Sequence, residues 1–236
     1  MPRIPIIEEL TTGPVPSGSN ILVEFDGASQ WHNACLAIAA GWLRQEGRVS
    51  YNAHIRFPDD IRSKLKRAGL NVETLEADDK LRIWDWYSAT LGKKSTEKYA
   101  YDSLKVADLS IRFASEDMGH PTYQLAGWIR IVENISTLGR FNEEKAWVEF
   151  LLTRGFPSVT LGGRTTTLHC ILRGVHSNSA YEQLEAASDG VIEFRVEEVS
   201  GEWRNCIAIK NMRDVSYDSR SHQLTVNENL QVTLEK

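Results

Sequence analysis

The stretch from residue 21 to residue 45 has the strand–turn–helix form that places a ligand at the end of a strand in open parallel sheets. ILVEF (21–25) is predicted to be an apolar strand, and an apolar segment with helical spacing runs from about residue 30 to residue 45. A phosphate-binding loop at such a place reads G-x-x-x-x-G-K-[ST], in which backbone N–H groups and the lysine hold phosphates and the hydroxyl holds magnesium. The candidate nucleotide-binding residues are therefore Asp26, Gly27, Ala28, Ser29, Gln30 and Trp31.

This loop lacks the side chains that the motif uses. Gln30 stands at the lysine position, Trp31 at the Ser/Thr position and Ser29 at the second glycine, which leaves Gly27 as the remnant. A charge-assisted contact contributes about 1.5–3 kcal/mol, so the missing lysine weakens triphosphate binding roughly tenfold to a hundredfold. We therefore expect ordinary Mg-ATP hydrolysis to be absent. Gly27 is either a turn glycine or a residue that still faces a ligand.

Strands and helices alternate along the chain up to about residue 190. The strand candidates are 21–25, 48–55, 81–88, 128–136, 165–175 and 190–199. The helix candidates are 30–45, 57–70, 142–155 and 179–188, and the type of 104–118 stays open. This order predicts an α/β fold with a mostly parallel sheet flanked by helices. The remaining C-terminal residues are predicted as antiparallel strands at one edge, and a single domain spans residues 1–236.

Four segments together resemble the KaiC-like branch of the RecA-superfamily ATPases. They are GPVPSGSNILVEFDG (13–27), AAGWLRQEGRVSY (39–51), WIRIVENIS (128–136) and HSNSAYEQLEAASDGVIEFR (176–195). Their order and spacing cover most of the chain. The resemblance implies a RecA-like fold, a nucleotide site at the loop after the first strand, and subunits that pack side by side.

The resemblance also identifies further departures from the family. The Walker B position falls on Glu133, followed by Asn134, and without a loop lysine we favour a plain strand-end carboxylate there over a metal ligand. The family carries its catalytic base on acidic residues after the second strand, where this chain has Asn52-Ala53-His54. His32, near the start of the following helix, is interpreted as a solvated or capping side chain. We assign no catalytic residue and no metal site.

Composition narrows the function classes. The net charge of −5 and the pI near 5.7 disfavour a nucleic-acid surface. The three cysteines, Cys35, Cys170 and Cys206, lack metal or disulfide spacing and are interpreted as buried reduced thiols. With no run of about 18 apolar residues and no signal-peptide pattern, a cytoplasmic location is expected.

Three functions follow from these observations. The first is a catalytically inactive homologue (a pseudo-ATPase) that acts as a regulatory or scaffolding and oligomerisation module, without a cofactor and with a protein partner or a second copy of itself. The second is a nucleotide-binding domain or ATPase with a non-standard loop that takes ATP or ADP, with Trp31 stacked on the base. The third, a DNA-recombination accessory, is the least supported, because the acidic chain has no concentrated basic stretch.

Overall fold

A nine-stranded sheet forms the centre of the molecule. The computed structural model describes residues 3–117, 128–158 and 165–235. The strands are β1 (Asn20–Phe25), β2 (Arg48–Ala53), β3 (Leu81–Asp85), β4 (Trp128–Val132), β5 (Thr165–Leu172), β6 (Gly190–Val199), β7 (Glu202–Met212), β8 (His222–Val226) and β9 (Val232–Glu235). Their order in the sheet is β3-β2-β4-β5-β1-β6-β7-β8-β9. The first six in that order are parallel, and β7 to β9 continue the sheet as antiparallel strands.

Helices cover both faces of this sheet. They are α1 (Trp31–Arg44), α2 (Pro58–Arg67), α3 (Val72–Ala77), α4 (Tyr87–Thr90), α5 (Val106–Asp117), α6 (Glu144–Phe150) and α7 (Asn178–Ala187). Shorter 3₁₀ turns lie at Ile7–Glu9 and Ile135–Arg140, and a π-helical turn, Leu151–Gly155, continues α6. One core contains the buried faces of α1, α2 and α3, and a second core lies under α5, α6 and α7. The predicted α/β class, with parallel strands and an antiparallel C-terminal edge, is confirmed.

Four predicted strands end earlier than the sequence indicated: 48–55 ends at Ala53 and 165–175 at Leu172. In the other two, a polar side chain ends the strand. The segment 81–88 leaves the sheet after Asp85, because the Asp85 carboxylate accepts hydrogen bonds from the backbone N–H and hydroxyl of Ser88 and starts α4. The segment 128–136 ends at Val132, because the Asn134 side chain accepts from the N–H of Ser136 and turns the chain into the 3₁₀ segment. Each polar side chain competes locally with the sheet for the backbone.

Two of the cysteines are far apart in the sequence but adjacent in the structure. Cys35 of α1 and Cys170 of β5 are fully buried, and their Sγ atoms lie 3.6 Å apart. Burial raises the pKa of the Cys170 thiol well above its usual value, which keeps it protonated. Both thiols, like that of Cys206, are free. Among the helices of the described residues, none has the length and apolar character needed to cross a membrane.

Candidate functional site

The loop at the predicted nucleotide position is tied to the antiparallel edge of the sheet. It connects β1 to α1, and three hydrogen bonds fix its two ends. The Asp26 carboxylate accepts from Val196 N at 3.1 Å, and Gln30 N donates to Asn205 Oδ1 at 2.7 Å. The Gln30 side-chain oxygen accepts from Val226 N at 2.8 Å. The residue at the lysine position is therefore used to hold β7 and β8 against the loop.

The middle of the loop is an ordinary turn. Ser29 donates from both its N–H and its hydroxyl to the Asp26 carbonyl, at 2.9 and 2.7 Å. Gly27 and Ala28 are exposed at its tip. The φ of Gly27 lies outside the left-handed region, and an added Cβ would meet Leu172 Cδ1 at 3.5 Å, an ordinary contact distance. Neither the conformation nor the packing of this turn requires a glycine.

We expect Gly27→Ala to change the free energy of unfolding by less than about 0.5 kcal/mol. Gly47→Ala is the matched control, because its Cβ would clash with the Trp42 indole, which would have to move. That variant should lose about 1–3 kcal/mol through overpacking. Urea unfolding of both variants measures the difference. A loss at Gly27 as large as that at Gly47 would contradict the turn interpretation.

Trp31 is an interior residue. Its indole is 5% exposed and stacks on Phe25 of β1, with ring centroids 3.8 Å apart and 19° between the planes. The sequence hypothesis had this ring stacking on a nucleotide base. Its position against β1 instead joins the first turn of α1 to the central strand.

Glu133 follows β4, and protein donors surround its carboxylate. The side chain is fully buried. Oε2 accepts from the backbone N–H groups of His54 and Ile55 at 2.8 and 3.0 Å, and Oε1 accepts from the Tyr51 hydroxyl at 3.1 Å. His32 Nε2 lies 2.8 Å from the same Oε1. The carboxylate for which the sequence predicted a Walker B position thus joins the ends of β2 and β4 to α1.

The electrostatics of Glu133 agree with this structural use. Burial alone would raise the pKa of the carboxyl group. The hydrogen bond and charge of His32, followed by the amides of Ile55 and His54, outweigh that effect and lower the pKa below its usual value. Glu133 is therefore a stable carboxylate at neutral pH.

One residue near Glu133 was misjudged from the sequence. His32 is buried instead of solvated, and its second ring nitrogen lies 3.4 Å from Lys64 Nζ. Lys64 of α2 is half-buried and donates to Asn33 Oδ1 at 3.1 Å. Burial, helped by the charge of Arg56, lowers the pKa of Lys64. No sequence pattern predicts this contact, since the partners lie on different helices.

A second group of charges surrounds Lys210 of β7 and includes Glu24, near the end of β1. Lys210 Nζ is 2.8 Å from Glu185, 3.5 Å from Glu24 and 3.7 Å from Glu193, so one ammonium serves three carboxylates. Glu24 is buried and stands beside Glu193 in the register of β1 and β6. Burial and a hydrogen bond with Glu185 raise the pKa of Glu24 to about 7, and Lys210 offsets this only in part.

This raised pKa predicts a pH-dependent stability. The folded pKa of Glu24 exceeds its unfolded value, so its contribution is complete below the unfolded pKa and is lost as the pH rises through about 7. Between pH 5 and pH 8 the free energy of unfolding of the parent, measured relative to that of Glu24→Gln, should fall by up to about 3 kcal/mol. This comparison cancels the opposite trend of the buried His54 and His169, whose lowered pKa values make stability rise over the same range. Relative to the exposed Glu202→Gln, the parent should show no such change. Urea unfolding of all three proteins at pH 5, 6.5 and 8 tests this, and a difference between parent and Glu24→Gln that does not vary with pH would refute it.

Comparison with known proteins adds information on the fold. No family model matches the chain, and no curated protein matches it. Among solved structures, the chain is similar to a KaiC-like protein from the hyperthermophilic archaeon Pyrococcus horikoshii OT3, with a TM-score of 0.69 and 17% sequence identity. The match covers 100% of this chain and 97% of that protein. With the strand order and the parallel sheet described above, this match shows that the chain has the same fold as that KaiC-like protein.

Proposed function

We propose that this chain is a catalytically inactive KaiC-like ATPase homologue whose single domain serves as a regulatory or scaffolding module. The observation that carries the proposal is that protein donors occupy the carboxylate of Glu133. A Walker B carboxylate must be able to reach a magnesium ion, directly or through water. Here the carboxylate is buried, accepts three hydrogen bonds from β2 and the two residues after it, and contacts His32. Freeing it would leave buried donors unpaired, at about 1–3 kcal/mol each.

The loop supports the same proposal. Phosphate binding by such a loop needs backbone N–H groups that point into a shared concavity. Here the N–H of Gln30 donates to Asn205 and the N–H of Ser29 donates within the turn. In place of a lysine and a hydroxyl, the chain has an amide that accepts from β8 and an indole packed on β1.

A protein partner or a second copy would bind an exposed part of the fold. The hairpin of β6 and β7 presents Trp203, whose exposure of 72% is high for an indole. Tryptophan is enriched at the centres of protein interfaces. The resemblance to KaiC-like proteins implies side-by-side packing. We therefore propose that the module acts by self-association or by binding another protein.

Calorimetry with ATP and ADP, with and without magnesium, tests the inactive site on the full chain. We expect no binding heat up to millimolar nucleotide and no release of phosphate above the buffer rate. Micromolar binding would overturn the proposal for the site.

Sedimentation of the parent and of Trp203→Ala tests the assembly, and a parent that stays monomeric with no partner would count against a scaffolding role.

A second candidate is a nucleotide-binding domain with a non-standard loop. It is favoured by Lys64, which brings an amine to the first turn of α1 from another helix. It is also favoured by a cavity of about 280 Å³ beside the loop, lined by Gln30, Trp203, Arg204 and Asn205 among others. If this candidate holds, Lys64→Met should abolish nucleotide binding and Trp203→Ala should weaken it. A DNA-recombination role would instead require salt-dependent retention on DNA.

A further inference from the structure

A small cavity lies on the sheet beneath α6 and the π-helical turn, apart from the loop. Its volume is about 40 Å³, and its walls include the apolar side chains of Trp86, Val132 and Phe150. Its polar lining comes from three neighbouring strands and the residue that follows one of them, namely Asn52, His54, Arg130 and His169. The two histidines are almost completely buried. A polar lining inside an apolar wall requires partners for its nitrogen atoms.

The hydrogen bonds of His54 fix its tautomer. His54 Nδ1 lies 2.8 Å from Thr137 Oγ1, and the Thr137 hydroxyl donates its own hydrogen to the Asn134 carbonyl. The hydroxyl can then only accept from His54, so Nδ1 carries the proton. His54 Nε2 is left as a bare acceptor, and within the described part of the chain it has no hydrogen-bond partner.

The hydrogen bonds of His169 also leave one ring nitrogen, here Nδ1, as a bare acceptor. His169 Nε2 lies 3.0 Å from Asn20 Oδ1. The Asn20 amide nitrogen donates to the Phe156 carbonyl, which orients the amide oxygen as the acceptor. Nε2 therefore carries the proton of His169, and Nδ1 is a second buried acceptor for which the described residues supply no partner.

Both imidazoles stay neutral over the physiological range. Burial lowers the pKa of His54 to about 4, and burial with the charge of Arg130 lowers the pKa of His169 to about 3. Two bare imidazole nitrogens can be satisfied by a hydrogen-bond donor or by a metal ion. The guanidinium of Arg130 in the same wall disfavours a cation, which leaves a small neutral donor as the ligand class.

We propose that this cavity binds internal water that donates hydrogen bonds to His54 Nε2 and His169 Nδ1. A buried water needs about 10–15 Å³ and two to four polar partners, so the cavity has room for one to three molecules. This water links the end of β2 to β5 across β4. It also holds His54, whose backbone N–H donates to Glu133, so His54 is a positioning residue for that carboxylate.

NMR of the full chain with ¹⁵N-labelled histidine tests the proposal directly. We expect proton-free Nε2 in His54 and proton-free Nδ1 in His169 from pH 5 to pH 8. We also expect magnetisation transfer from water to the ring protons of both residues, because internal water stays next to the rings for a long time. The opposite tautomers, or no transfer to either ring in the parent protein, would overturn the proposal.

A cavity-filling variant gives a second measurement, because it should lower Tm if the cavity contains water and raise Tm if the cavity is empty. Val132→Ile adds a methyl group to the cavity wall, while Val191→Ile adds one elsewhere in the same core as the matched control. Displacing water leaves two acceptors unpaired, so Val132→Ile should abolish the magnetisation transfer and lower Tm by about 3–8 °C. Val191→Ile should keep the transfer. If the parent protein shows no magnetisation transfer and Val132→Ile has a higher Tm than the parent, the cavity is dry and the proposal is wrong.

Discussion

Glu133→Ala is expected to lower the free energy of unfolding by about 3–5 kcal/mol, because it removes a fully buried carboxylate from the groups that donate to it. The buried amide of His54 and the buried Tyr51 hydroxyl would lose their acceptor, and so would the partly buried amide of Ile55. Glu133→Gln keeps the shape and one acceptor oxygen, so we expect a loss of about 1–3 kcal/mol. Urea unfolding followed by circular dichroism measures both values.

The exposed carboxylate Glu202 provides the control for this series. Its side chain is 76% exposed and pairs with Arg204, so Glu202→Ala should change stability by less than about 0.5 kcal/mol. A carboxylate kept for magnesium would behave differently, since its removal would cost nucleotide turnover and little stability. If Glu133→Ala were as stable as the parent, the structural role of Glu133 would be wrong and the proposed inactive site would lose its main support.

Introducing the lysine and hydroxyl of the loop motif with Gln30→Lys and Trp31→Thr is expected to destabilise the protein and to yield no ATP hydrolysis. Replacing the buried Trp31 by a small residue removes its stacking on Phe25, at about 3–5 kcal/mol. The Gln30 substitution also removes the acceptor for Val226 N. Neither substitution removes a hydrogen bond of Glu133, so its carboxylate would remain bonded to β2 and the two residues after it. Unfolding curves and phosphate release measured on the double variant test both statements.

Trp203→Thr is the matched control, because it makes the same substitution at an exposed indole and should cost little stability. A double variant that folds as stably as the parent and hydrolyses Mg-ATP would contradict the proposed function. A double variant that is destabilised and inactive, next to a stable Trp203→Thr, is the expected result.

The fold could be predicted from the sequence because its signals are local. The apolar strand before the loop, the helical spacing of α1 and the alternation up to residue 190 each depend on neighbouring residues. The segment 104–118 stayed ambiguous because its apolar spacing did not decide between types. The structure makes it α5, whose first N–H donates to Asn142, a residue far along the chain.

The contacts of the candidate site could not be predicted from the sequence. The loop composition predicted an unusual site, but the partners of Gln30 lie on β7 and β8, more than 170 residues away. His32 was interpreted as a solvated or capping side chain because the sequence cannot show that the Glu133 side chain contacts the first turn of α1. Long-range pairing of polar groups has no periodicity that a pattern could detect.

The hydrogen bonds of Asp26 and Gln30 to the C-terminal strands also have a mechanical meaning. In an open loop, each residue can move without disturbing the sheet. Here movement of the loop must break bonds to β6, β7 and β8 together, so the loop and the sheet edge open as one cooperative unit. Asn205 lies only two residues from the exposed Trp203. A force applied to that hairpin therefore reaches the central strand through a rigid connection.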